Sequence, residues 1–150
     1  MRHRSRPGAA LILATVALAL GAAAPTRTVT VTVTDLRSAK GVVRACMTTD
    51  AERFPRCAGD PASYRLVVPA SEGSLTLTFK GVTPGRYAVA LLHDENGNGK
   101  ADRALGMMPR EGFGFSRDAP VRMAPPRFAD AVFPVADSDQ KLTIKMRYML

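Results

Sequence analysis

Polar and apolar residues alternate along much of this chain at the period of a β-strand. Thr28-Val29-Thr30-Val31-Thr32-Val33-Thr34 alternates strictly, with Val29, Val31 and Val33 on one face. β-branched residues at period two predict a strand with one buried face. After Ser38-Ala39-Lys40-Gly41, the run Val42-Val43-Arg44-Ala45-Cys46-Met47 predicts a second strand. Residues 49–62 are polar, interrupted by Pro55 and Pro61, and read as a loop. Tyr64-Arg65-Leu66-Val67-Val68 predicts a third strand, and Ser74-Leu75-Thr76-Leu77-Thr78-Phe79-Lys80 a fourth with Leu75, Leu77 and Phe79 inward. Gly81-Val82-Thr83-Pro84-Gly85 is a turn, because Pro and Gly supply the backbone angles a turn needs. A fifth strand, Arg86-Tyr87-Ala88-Val89-Ala90-Leu91-Leu92, follows it.

Between 103 and 126 no period holds. Pro109, Pro120, Pro125 and Pro126 exclude long ladders there, and Gly106, Gly112 and Gly114 add tight bends. A loop of that length in a compact domain tends to be functional. Residues 128–135 read as a short strand or a brief helical turn. The chain closes on Lys141-Leu142-Thr143-Ile144-Lys145-Met146-Arg147-Tyr148, with Leu142, Ile144, Met146 and Tyr148 inward. Six or seven short strands with turn punctuation, and no long helical period, predict an all-β fold, a single antiparallel β-sandwich, with an open barrel as the alternative.

The first two dozen residues follow a different plan. Arg2, Arg4 and Arg6 precede an apolar run over 11–20, and Ala22-Ala23-Ala24 offers a small-residue cleavage site. That is the layout of a secretory signal peptide, residues 1–24, ahead of one domain at 25–150. The apolar run is short for a membrane span of about 20 residues, so no transmembrane span is expected after leader removal. The net charge of +8 falls to +5 without the three leader arginines. The remaining basic residues are scattered without interleaved aromatics, which argues against a nucleic-acid partner. Export also suits Cys46 and Cys57, which an oxidising compartment lets pair as a disulfide across a short loop.

The candidate chemistry gathers at the end of the fifth strand, in His93-Asp94-Glu95-Asn96-Gly97-Asn98-Gly99-Lys100-Ala101-Asp102. Asp94, Asn96, Asn98 and Asp102 stand at the first, third, fifth and ninth places of a calcium-loop pattern, with Gly99 at the sixth. Lys100 would give its carbonyl. The twelfth place, where a bidentate Glu is expected, holds Leu105. The residues therefore predict a cation loop, with calcium the expected ion, but not a complete helix-loop-helix hand. Asn96-Gly97 and Asn98-Gly99 are also hairpin dipeptides, so the other reading is a plain turn.

Neighbouring residues add less. His93 is expected to orient Asp94 or a loop carbonyl, as the partners of metal ligands do. Glu111 or Asp130 could fold back as a further ligand. Gly112-Phe113-Gly114-Phe115-Ser116 lacks the spacing of a phosphate loop and reads as a tight loop whose phenylalanines cap one end of the sandwich. No G-x-S-x-G motif occurs, and a lone histidine after the leader leaves hydrolysis without a base.

Several ordered motifs give the chain a family resemblance. They are Pro84-Gly85-Arg86-Tyr87-Ala88-Val89, the run from His93 to Lys100, Glu111-Gly112-Phe113-Gly114-Phe115-Ser116, Pro126-Arg127-Phe128-Ala129-Asp130-Ala131-Val132-Phe133 and the closing Ile144-Lys145-Met146-Arg147-Tyr148. Through them residues 82–148, and more loosely 31–54, resemble the bacterial exported family catalogued as domain of unknown function 2141. The resemblance implies an exported β-sandwich related in shape to transthyretin-like modules, and no established activity. Met107-Met108-Pro109 and the Cys46/Cys57 pair depart from the family's usual pattern. The expected function is an exported, periplasmic or secreted, binding or interaction module without enzymatic activity, whose partner is an envelope protein or a glycan. The alternatives are a metal-free structural domain of the envelope and, last, a carboxylate-dependent hydrolase.

Overall fold

Strand β1 (Arg27–Leu36) lies at the centre of one sheet, and strand β5 (Gly85–Asp94) at the centre of the other. The computed structural model describes residues 21–104 and 108–150. The expected leader at 1–24 falls almost wholly outside the described residues, as does Leu105.

In the first sheet β1 is flanked by β4 (Gly73–Val82), antiparallel, and by β10 (Gln140–Lys145). The second sheet runs β3 (Tyr64–Pro69), β2 (Val42–Thr48), β5 and β8 (Gly112–Phe115), all antiparallel, and β9 (Phe133–Val135) pairs with the start of β5. The two sheets face each other as a sandwich. They are stitched along one seam where Phe113 and Arg147 exchange main-chain hydrogen bonds of 3.0 and 2.9 Å.

The predicted strands appear close to their expected bounds, and the alternation works as read. Val29, Val31 and Val33 of β1 are each fully buried, and they meet Val43, Met47, Val89 and Leu91 from the opposite sheet in one cluster. One pairing departs from the antiparallel expectation: β1 and β10 run parallel. The chain reaches β10 from β9, in the other sheet, so no hairpin constrains its direction. Among the described residues no helix is long and apolar enough to cross a membrane.

The segment expected to lack order carries short pairings. β6 (Arg103–Ala104) and β7 (Met108–Pro109) pair antiparallel, and β8 is a true strand where a tight loop was expected. The glycines of β8 leave room rather than make bends. A Cβ on Gly112 would lie 2.4 Å from the Tyr148 ring, and one on Gly114 2.9 Å from Ile144 Cγ2. Residues 128–135 hold both expected forms, a single helical turn, α1 (Phe128–Ala131), and then β9.

β5 is covered on both faces. Tyr87, Val89 and Leu91 face the sandwich core, while Ala88 and Ala90 point outward beneath a second layer. That layer is built from Phe54 and Cys57 of the 49–62 loop and from Phe115, Ala119 and Ala131. Small side chains on the outer face of β5 let it pack close. Ser116, fully buried, bridges layer and strand: its hydroxyl accepts the Val89 N–H at 2.9 Å and donates to the Ala131 carbonyl at 2.6 Å. Cys46 on β2 and Cys57 form the expected disulfide. Phe54 and Phe115 meet edge to face at 5.8 Å, so Phe115 caps this second layer and Phe113 lies half-buried beside it.

Candidate functional site

β5 ends with two consecutive buried polar residues, which point to opposite sides of the strand. His93 turns into the sandwich. Its Nδ1 lies 2.7 Å from the Tyr148 hydroxyl and its Nε2 2.9 Å from the Lys40 carbonyl. The imidazole therefore ties the turn before β2 to the chain after β10. Of the two expected partners, Asp94 or a loop carbonyl, the structure gives a carbonyl, that of Lys40 in the turn before β2, because neighbouring strand residues cannot face each other. Asp94 carries the loop instead, and Gly41, with φ +66°, lies against its main chain: a Cβ on Gly41 would sit 2.0 Å from the Asp94 carbonyl oxygen.

The Asp94 carboxylate is fully buried and organises three donors. Oδ2 accepts from Arg44 Nε at 2.7 Å and from the Gly99 N–H at 2.8 Å; Oδ1 accepts from the Asn98 N–H at 3.1 Å. Burial pushes its pKa up, but the Arg44 guanidinium and the two main-chain donors outweigh that and hold it below the ordinary carboxylate value. The loop continues as a ladder of side-chain turns. Asn96 Oδ1 accepts the Asn98 N–H at 3.1 Å, and Asn98 Oδ1 accepts the Lys100 N–H at 2.9 Å. Gly97 and Gly99 take the positive φ values, 69° and 77°, that let the chain curl around these oxygens.

Asp102 closes the turn. Its carboxylate accepts from Asn96 Nδ2 at 2.6 Å and from Asn98 Nδ2 at 2.9 and 3.0 Å. The main-chain donors fix both amides with oxygen toward the turn and nitrogen toward Asp102. Asp94, Asn96, Asn98, Lys100 and Asp102 are thus brought together by the local fold.

Of the two residues expected to fold back, one does. Glu111 is only 5% exposed, and its Oε2 accepts the Asp102 N–H at 3.1 Å. The Glu95 main chain faces the same carboxylate, yet no donor among the described residues comes within hydrogen-bonding geometry of Oε1. Burial pushes the Glu111 carboxyl above its ordinary pKa against the pull of the Asp102 N–H, and the charges of Asp102 and Asp94 push it further. Asp130 does not reach the loop. It caps the first turn of α1, accepting from the Arg127 N–H at 3.2 Å and pairing with the Arg127 guanidinium.

Two residues of this end were not expected. Arg44 reaches Asp94 from the neighbouring strand by diagonal register, since Val42 stands opposite Asp94. Glu95 holds Arg37 at 2.5 Å and the Ser38 hydroxyl at 2.8 Å, and Arg37 in turn lies over the Tyr148 ring at 4.4 Å. Arg37 first, then Ser38, keep the Glu95 carboxyl below its ordinary pKa against burial.

Among the described residues no three His, Cys, Asp or Glu side chains gather closely enough to hold a metal by themselves. A cation here must therefore draw on amide and main-chain oxygens. The donor set fits a hard ion on that condition. Asp94 Oδ1, Asn96 Oδ1 and Asn98 Oδ1 each accept a single main-chain donor, which leaves each a lone pair.

No curated protein and no solved structure matches the chain. A family model does, over residues 31–143, a stretch that runs from within β1 to within β10 and takes in the Asp94 loop, Glu111 and the disulfide. By that match the chain belongs to the family described as uncharacterized protein conserved in bacteria (DUF2141).

Proposed function

We propose that the protein is an exported interaction module whose 94–102 loop takes up a hard divalent cation, calcium in the first place, and so fixes the surface offered to an envelope protein or glycan. The observation that carries this reading is the ladder of oriented oxygens. Asp94, Asn96 and Asn98 are locked by main-chain donors with a lone pair left on each, and the Asp102 carboxylate lies next to them. On binding, Asp102 would exchange its amide donors for the ion, and Lys100 would add its carbonyl. The Cys46–Cys57 disulfide supports export.

A second reading, a metal-free structural turn, is favoured by Arg44. Its guanidinium already neutralises Asp94 at 2.7 Å, and the two asparagine amides already supply donors to Asp102. Thermal unfolding in chelator and in 10 mM calcium separates the two. A low-charge site of this kind has an expected dissociation constant on the order of 10⁻⁴–10⁻³ M. Calcium should then stabilise the protein by about 1.4–2.7 kcal/mol, a shift of several degrees. Asp102→Asn removes a charge and one of the two oxygens that accept the asparagine amides, so the melting point in chelator should fall somewhat and the calcium shift above it should shrink. An unchanged midpoint with calcium and with magnesium leaves the structural turn.

A further inference from the structure

We propose that Glu111 is the closing ligand of the cation loop, the carboxylate that the loop's own twelfth place, Leu105, does not supply. This rests on the loop being a cation site. The grounds are the position and state of Glu111. It stands at the threshold of β8, outside the loop in sequence, yet its carboxylate is packed against the loop and accepts the Asp102 N–H. One of its oxygens, Oε1, is buried with no donor in hydrogen-bonding geometry among the described residues. A buried carboxylate oxygen without a partner is costly and uncommon in a folded protein. Nearby carboxylates at Asp94 and Asp102 raise that cost, and the Arg44 guanidinium at this end donates to Asp94 instead. A divalent ion is the partner that satisfies Oε1 and offsets all three acids at once.

The assignment has two consequences. Asp94, Asp102 and Glu111 do not converge on one point in the present arrangement; closing onto the ion, they would give three carboxylates, alongside two amide oxygens and a carbonyl. That many oxygens suits the six to eight ligands of calcium better than the tight octahedron of magnesium. The ion also joins the end of β5 to the start of β8, so its occupancy couples the loop to the β6–β7 arm between them.

Calcium titration calorimetry on the protein, on Glu111→Gln and on Asp102→Asn tests the assignment, with melting in chelator alongside. Glutamine keeps a carbonyl for the Asp102 N–H but loses the charge. A ligand role therefore predicts calcium affinity lowered at least about tenfold, since even outer partners of metal ligands cost that much. It also predicts a chelator melting point that holds or rises, because the uncompensated acid is gone. A merely structural Glu111 gives the reverse, a lower melting point with affinity unchanged, and that result overturns the proposal while leaving the loop a metal site through Asp102→Asn. No calcium binding by the unaltered protein overturns both. Should Glu111→Gln not fold, carboxyl-labelled glutamate in the unaltered protein gives four resonances, one per Glu. One of them, assigned to Glu111, must shift on adding calcium; four unmoved resonances in a protein that binds calcium sink the assignment.

Discussion

Gly41→Ala should cost about 2–4 kcal/mol, more than most single substitutions on this surface. Two effects add. Gly41 has φ +66°, a left-handed conformation that costs a residue bearing a Cβ about 1 kcal/mol. The new Cβ also falls 2.0 Å from the Asp94 carbonyl oxygen and 2.8 Å from the Glu95 main chain. Both obstacles are backbone, so no rotamer change relieves them and the loop must move away from the turn before β2. That motion pulls on the Lys40 carbonyl held by His93 and on the Glu95 carboxylate held by Arg37 and Ser38. Gly81→Ala is the control, with φ +68° and nothing within 4 Å of its Cβ, so only the conformational part of about 1 kcal/mol applies. Denaturant unfolding of both variants measures the difference. Equal losses would mean that the contact between turn and loop does not hold the loop in place.

What could be read ahead of the structure divides by how far apart the interacting residues lie. The core strands are local patterns, and Val29, Val31 and Val33 are buried as their alternation requires. The loop is local too: from Asp94 to Gly99 each oxygen meets a donor a few residues on, so spacing alone exposes it. β8 was misread because its signal is an absence. Gly112 and Gly114 carry no side chain where Tyr148, Met146 and Ile144 press in, and nothing within 112–116 announces those partners. The parallel β1–β10 pairing depends on a crossing between sheets, which alternation does not encode. Arg44 and Glu111 reach the loop through strand register and chain reversal, so one was missed and the other was only one of two options. The second option, Asp130, has a local use at α1 that its Arg127-x-x-Asp130 spacing could have suggested.

Removing the Cys46–Cys57 bridge should lower stability by about 2–4 kcal/mol and loosen one face of the protein before the rest. The bridge closes the 49–62 loop over the outer face of β5, and both half-cystines are buried among Phe54, Ala88, Ala90 and Phe115. Two contributions are separable. Reduction of the unaltered protein keeps both sulfurs in the layer and frees only the chain, so its loss measures the cross-link. Cys46→Ala with Cys57→Ala removes the sulfurs as well, and the added cavity should make its loss the larger. The opened state has a local signature, because Arg53 and Arg56 are exposed on this loop while β1 and β5 are buried in the sandwich. Trypsin should therefore cut after Arg53 or Arg56 in the reduced protein at times when the oxidised protein is intact. Reduced and oxidised protein melting together would show that Phe54 and its aromatic neighbours hold the layer without the bridge. A cut pattern spread over the whole chain would show instead that the layer and the sandwich unfold as one unit. The expected order, loop first and sandwich later, makes the disulfide the clasp of the outer layer and leaves the Asp94 end, reached from the opposite end of β2, with its cation response intact.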